Sequence, residues 1–255
     1  MSDHDKHRAR IFLHRGDLRQ ARAAWEAAVA DDRAAGNLKD LSNSLGNLGN
    51  AWALSGEFEQ ADACYKEVLS IQRTEQDDHA IAHTLVNLGN LYVAADRNET
   101  ARAYYLEALD LLQPLNDHRA LGILYHNLAM DEARQRHWDE AVHLFGQALD
   151  SHRKVGSEDG LAATYSQLGR TFLDSGHGTE AERCFSNASE HFIKLGNPVG
   201  EAAVLRELAD LYEGRNDRLS AIRCIERVHH LALGTGTAPS AADRERLKRL
   251  RTTGS

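Results

Sequence analysis

Proline, cysteine and aromatic side chains are all scarce: 255 residues hold three prolines and three cysteines, and aromatics make up 6%. Each shortage excludes something. So few prolines leave long helices uninterrupted, and with no Val/Ile-rich alternating run, no strand is expected anywhere. The longest apolar runs are broken by charge and too short to span a bilayer, and the opening MSDHDKHRAR lacks the apolar segment of a secretory signal. A soluble, cytoplasmic protein without membrane contact is the expectation. Net charge is −8 with acidic and basic residues interleaved, which argues against the basic stripe that nucleic acid binding needs to displace counterions from phosphates. There is no glycine-rich phosphate loop, no nucleophile elbow and no paired-cysteine metal motif. The chain therefore reads as a non-enzyme with no cofactor.

What the sequence has instead is repetition. Residues 45–69, LGNLGNAWALSGEFEQADACYKEVL, return in outline every forty residues. Ala61 recurs as Ala21, Ala101, Ala141, Ala181 and Ala221. Tyr65 recurs as Trp25, Tyr105, Phe145, Phe185 and finally Ile225, and Gly49 as Ala9, Gly89, Ala129, Gly169 and Ala209. Self-similarity at a fixed period marks an array of small units, each burying its apolar face only against its neighbours. One continuous array is expected rather than separate globular domains.

Each unit reads as two helices. Leu45, Leu48, Gly49 and Trp52 share one face at about 3.6 residues per turn. Gly56 breaks the pattern, after which Phe58, Ala61, Tyr65 and Val68 form a second stripe. The small residues Gly49 and Ala61 let the two backbones approach, while Tyr65 is large enough to reach a neighbouring unit.

This succession of an apolar residue, Leu-Gly, an aromatic, a glycine, then an alanine, an aromatic and a small residue resembles the tetratricopeptide repeat. It stands in residues 45–69 and again in residues 165–188 as YSQLGRTF…GHGTEAERCFSNA. That family's usual period is about 34 residues, and the longer unit here is similar to the extended form in kinesin light chains, mitotic-spindle polarity adaptors and many bacterial regulators. The resemblance covers nearly the whole chain. It implies an all-α fold, a right-handed superhelical solenoid of six helix hairpins with a C-terminal capping helix. The array is expected over residues 1–236, with units at about 1–36, 37–76, 77–116, 117–156, 157–196 and 197–236, followed by a basic cap and tail at 237–255.

The joints between units are regular. Asn37, Asp77, Asp117, Ser157, Asn197 and Thr237 are all residues able to cap a helix N-terminus. Just before them stand Gly36, Gln76, Asn116, Gly156, Gly196 and Gly236, mostly types that tolerate a left-handed helix end. Pro198 suits the first helical position. Such short joints leave helices of about seventeen residues, roughly 25 Å long. At the start, Asp5 and Arg8 replace apolar residues while Ala9 and Phe12 keep the buried stripe, as in a terminal cap. At the end, residues 240–251 carry Arg244, Arg246, Lys248, Arg249 and Arg251, with Leu247 and Leu250 on one side. That helix reads either as a polar lid over the sixth unit or as a basic surface for an acidic partner.

The informative polar residues lie on the first helix of each unit, opposite the buried stripe. Asn43, Asn47 and Asn50 share a face, His83, Asn87 and Asn90 occupy it in the next unit, and Asn127 and Arg134, then Gln167 and Arg170, follow. In tetratricopeptide repeats the first helices line the concave surface, so the resemblance turns this face into a groove. Asparagine is a poorer helix former than the Glu or Lys of a merely solvated face. A carboxamide offers a donor and an acceptor, matching the N–H and C=O of an extended peptide. Asn47, Asn87 and Asn127 resemble the asparagine ladders of kinesin light chains and spindle adaptors. The resemblance thus implies a non-catalytic scaffold that holds an extended segment of another protein through Asn43, Asn47, Asn50, Asn87, Asn90, Asn127, Arg134, Gln167 and Arg170. The amides bonding one another or water is the plain alternative, and a sensory module for a small effector or signalling peptide is the other functional reading.

Three irregularities remain. Glu132 stands where other units carry Phe12, Trp52, Tyr92, Phe172 and Tyr212, and a carboxylate in a buried stripe is costly unless paired. Arg136, which replaces the turn glycine, stands four residues later and is the expected partner, with a hinge or contact point as the alternative. Cys64, Cys184 and Cys224 share one place in their units and read as small packing residues. His79 and His83 are four apart, a spacing that can share a metal, but no third ligand is evident nearby in sequence, so they read as solvated surface residues and no metal is expected.

Overall fold

In the computed structural model, which describes residues 3–252 and the side chains from Lys6 onward except His14, the backbone turns sharply every twenty residues. The side chain of Asp5 and residues 253–255 of the expected tail lie outside the described residues. Positive φ angles fall at Gly16, Gly36, Gly56, Gln76, Asp96, Asn116, Arg136, Gly156, Gly176, Gly196, Asn216 and Gly236. Between them run α1 (Asp3–His14), α2 (Leu18–Ala35), α3 (Leu38–Leu54), α4 (Phe58–Glu75), α5 (Asp78–Ala94), α6 (Asn98–Leu115) and α7 (His118–Arg134). There follow α8 (Trp138–Lys154), α9 (Glu158–Asp174), α10 (Gly178–Lys194), α11 (Pro198–Gly214), α12 (Arg218–Gly234) and α13 (Ala241–Thr252). Among the described residues there is no strand, and no helix is long and apolar enough to cross a membrane. The fold is all-α.

The joints work through side-chain capping. Asn37, Asp77, Asp117, Ser157 and Asn197 each accept from the backbone N–H three residues on, at 2.9–3.2 Å. Thr237 breaks the expected series: its hydroxyl donates back to the Ala232 carbonyl at 3.0 Å, and Ser240 Oγ accepts from Asp243 N–H at 3.0 Å instead. Three residues separate the two, so the last helix starts one turn later than at the other joints.

Packing divides the chain into two compact blocks, Met1–Ala120 and Leu121–Ser255. In the N-terminal block each helix from α1 to α5 packs on the next. Ala21, Ala61 and Ala101 are at most 1% exposed, and Trp25, Tyr65 and Tyr105 fill the space beside them. At Gly89 the approach is so close that a Cβ would stand 2.2 Å from the Tyr105 ring, so only glycine fits. Successive units are tied at equivalent positions: the Arg22 guanidinium lies 4.3 Å from the Trp52 ring centroid, and Tyr92 donates to Asp62 at 2.8 Å. Deeper in, Ser44 donates to Asp32 at 2.6 Å and Thr84 to Gln72 at 2.8 Å, so the polar atoms in these buried joints are satisfied.

In the C-terminal block Ala181, Phe185, Ala209, Ala221 and Ile225 build the same core, which α13 completes with Leu247 and Leu250. The basic helix is engaged with its own block. Arg246 reaches Asp210 and Glu213, both at 2.6 Å, Arg249 reaches Glu213 at 2.6 Å, and Arg251 reaches Glu226 at 2.6 Å. Arg206 in turn grips Asp243 of α13 with two hydrogen bonds at 3.0 and 2.8 Å. Of the two readings of this helix, the lid over the last hairpin is the one its arginines serve.

Glu132 is 3% exposed, as its place in the buried stripe requires, but Arg136 is not the partner the structure records. His137 Nδ1 meets the Glu132 carboxylate at 2.7 Å. The reason is local: α7 ends at Arg134, and Arg136 sits at φ +62° in the turn, so helical spacing no longer places its side chain beside Glu132. The preceding Asp131, also buried, accepts from Arg134 at 3.1 Å and Gln135 at 3.0 Å.

Candidate binding faces

On α3 and α5 the helical period brings Asn43, Asn47 and Asn50, and His83, Asn87 and Asn90, each to one face. The five amides do not do the same work. Asn50 Oδ1 accepts the Tyr65 hydroxyl at 2.6 Å, and Asn90 Oδ1 accepts the Tyr105 hydroxyl at the same distance. Burial pushes the Tyr65 hydroxyl pKa up, so it stays a donor. Asn47 Nδ2 donates to the Asn43 carbonyl at 2.7 Å, one turn back on its own helix. Asn43 and Asn87 are exposed, and among the described residues neither side chain makes a hydrogen bond. These two carboxamides are thus available to a ligand without breaking an internal bond.

In the C-terminal block Asn127 on α7 and Gln167 on α9 are half-buried. The two predicted cations are engaged: Arg134 donates to Asp131 at 3.1 Å and Arg170 to Glu207 on α11 at 3.0 Å. An arginine bound to a neighbouring carboxylate offers little net charge to a partner.

The tyrosine–asparagine pairs escaped the sequence reading, yet a signal was present. Where Tyr65 and Tyr105 become Phe145 and Phe185, Asn50 and Asn90 become Met130 and Arg170. The amide occurs where a hydroxyl needs it.

The thiols behave as packing groups. Cys64, Cys184 and Cys224 are all free. Burial pushes the Cys64 and Cys184 thiols up to about 11, and raises Cys224 as well, so none carries the thiolate that a nucleophile or metal ligand needs.

Paired helices of near-equal length, reversed at fixed intervals and packed alanine against aromatic, define a helical-hairpin repeat protein. Models of the tetratricopeptide repeat match residues 41–80 and again residues 80–154. The soluble NSF attachment protein family, SNAP, matches residues 124–242. No curated protein matches the chain. Among solved structures, BtubC (BKLC) from P. vanneervenii is 21% identical with a TM-score of 0.78, over 88% of this chain and 94% of that one. A putative kinesin light chain with nearly identical TPR-like repeats from Podosopora anserina is 20% identical with a TM-score of 0.62, over 76% and 95%. A signal transduction ATPase with a tetratricopeptide repeat sensor from Pyrococcus horikoshii is 16% identical with a TM-score of 0.70, over 94% of this chain and 34% of that one. At these identities the likeness is one of fold.

Proposed function

We propose that the chain is a non-catalytic scaffold that binds an extended segment of another protein along the polar faces of its first helices. The observation that carries this reading is the exposed, unengaged carboxamide of Asn87, at a helical position where a better helix former would serve solubility alone. Asn43 and Asn47 extend that face in the N-terminal block, and Asn127 and Gln167 offer amides in the C-terminal block. Asn50 and Asn90 act one step back, holding the tyrosines against which these helices pack. The likeness to kinesin light chain repeats supports the reading. A second reading, a sensory module for a small effector, draws on the likeness to a repeat sensor.

Affinity capture with the whole chain, followed by calorimetry on the segment recovered, tests the proposal. Asn87→Ala leaves a peptide N–H and C=O unpaired at about 1–3 kcal/mol, which weakens binding roughly five- to 150-fold. Glu67→Ala removes only an exposed pair with Arg33 and leaves affinity within about twofold. Equal losses in the two variants, or none in Asn87→Ala, place the binding surface elsewhere. A copurifying small ligand favours the sensor.

A further inference from the structure

The joint between α6 and α7 carries Asp117, whose two carboxylate oxygens do separate work. Oδ1 accepts from the backbone N–H groups of Arg119 and Ala120, both at 3.1 Å, which caps α7 and fixes the carboxylate. Oδ2 is left facing α5, where His79 Nε2 lies 2.7 Å and His83 Nε2 3.6 Å away. The two histidines are one helical turn apart, so their rings stand side by side with centroids 4.6 Å apart. The three donor atoms all lie within 4.8 Å of one another. Asp117 is 18% exposed in its side chain. Desolvation works to raise its pKa, but the Ala120 N–H and the two histidines outweigh this and hold the carboxyl below its ordinary value, so it is an anion at neutral pH.

We propose that His79, His83 and Asp117 form a site for Zn²⁺ or a chemically similar divalent transition ion, held by two imidazole nitrogens and one carboxylate oxygen with a further position open to water. Two imidazoles beside a single carboxylate suit Zn²⁺, Ni²⁺ or Cu²⁺, whereas Mg²⁺ and Ca²⁺ require mostly oxygen donors. Tetrahedral zinc with ligands at about 2.0–2.2 Å holds neighbouring donor atoms roughly 3.3 Å apart. The two nitrogen–oxygen distances, 2.7 and 3.6 Å, straddle that separation. Both histidine side chains are about half exposed, so their rings can settle around an ion without disturbing the core. The capping residue recurs at other joints, but the histidines do not: Lys39 and Asn43 accompany Asp77, Arg119 and Ile123 accompany Ser157, and Asp159 and Ala163 accompany Asn197. Capping therefore does not require the histidines, and among the described residues one joint alone brings three such donors together. The site stands whether or not the polar faces bind a peptide.

The test is a calorimetric titration of the whole chain, stripped with a chelator, against zinc chloride. One equivalent binds saturably, and affinity falls in acid, where protons compete with the ion for its ligands. His79→Ala and His83→Ala each weaken binding at least about tenfold, since even outer-shell changes cost that much. Asp117→Asn separates the two roles of that side chain, because asparagine still caps the helix but supplies no anionic donor; it weakens zinc binding while leaving the melting curve unchanged. Absence of saturable uptake overturns the proposal. So does uptake that survives both histidine variants, which would put the ion on others of the fourteen histidines.

Discussion

The Tyr65 hydroxyl donates to Asn50 Oδ1 at 2.6 Å, from the second helix of a hairpin back to the first. Tyr65 is 3% exposed, so removing its acceptor strands a hydroxyl in a site with little water. Asn50→Ala should therefore destabilise by about 1–3 kcal/mol, whereas removing both partners with apolar groups of similar shape is nearly neutral. Tyr65→Phe combined with Asn50→Met, the combination found at Phe145 and Met130, should recover most of the loss. Urea midpoints of the single and double variants measure the coupling. An Asn50→Ala variant no weaker than Asn87→Ala would show that the bond contributes nothing.

Arg136 occupies a left-handed turn at φ +62°, where Gly16, Gly56 and Gly176 stand in other hairpins. A side chain in that region costs roughly 1–2 kcal/mol, partly offset by the greater freedom glycine has in the unfolded chain. Arg136→Gly should raise stability by about 0.5–1 kcal/mol, seen as a higher denaturant midpoint with an unchanged slope. The structure records no bond from the Arg136 side chain to Glu132, so the carboxylate keeps His137. A loss of stability would mean that the arginine holds a contact worth more than the turn strain.

These two cases also show what the sequence discloses. Ala61, Tyr65 and their equivalents at forty-residue spacing made the hairpins legible, because a repeat must bury the same shape each time. Caps such as Asn37 and Asn197 were legible because the amide or hydroxyl acts three residues away. The partner of Glu132 was misread because the four-residue rule holds only inside a helix, and α7 had ended. Asp117 was recognised as a cap from its position alone. Its second oxygen meets His79 only across the fold, 38 residues away in sequence, beyond the reach of any local spacing.

The fit between Gly89 and Tyr105 gives a prediction about register. A Cβ on Gly89 would lie 2.2 Å from the ring, against 2.8 Å for the equivalent Gly49 and Tyr65. Both alanine variants overpack, at about 1–3 kcal/mol, and Gly89→Ala should cost more than Gly49→Ala. Thermal melts of the two variants side by side decide it. The reverse order would mean that Tyr105 yields more easily than Tyr65.

A last prediction concerns acid. His126 Nδ1 lies 3.0 Å from Thr164 Oγ1, and its ring meets Phe145 edge-on with centroids 5.7 Å apart. Desolvation, with a smaller contribution from His152, lowers its pKa from the ordinary 6.5 to about 4. Burial lowers the His152 pKa as well, opposed by Asp159, and among the described residues its own Nδ1 has no hydrogen-bond partner. Below pH 6.5 the unfolded chain takes up protons that the folded chain refuses, so the unfolded state binds more protons and stability falls. The stabilisation is therefore fully present above about 6.5 and lost progressively as pH drops toward about 4. Asp32 and Asp243, whose pKa values lie below the ordinary 3.8, lose their contribution only at lower pH, so the two effects separate. Urea midpoints across this window should decline for the native chain and decline less for His126→Gln, which cannot take up a proton but can still bond Thr164. Parallel slopes would show that His126 titrates alike in the folded and unfolded states, and that its burial does not exclude the proton.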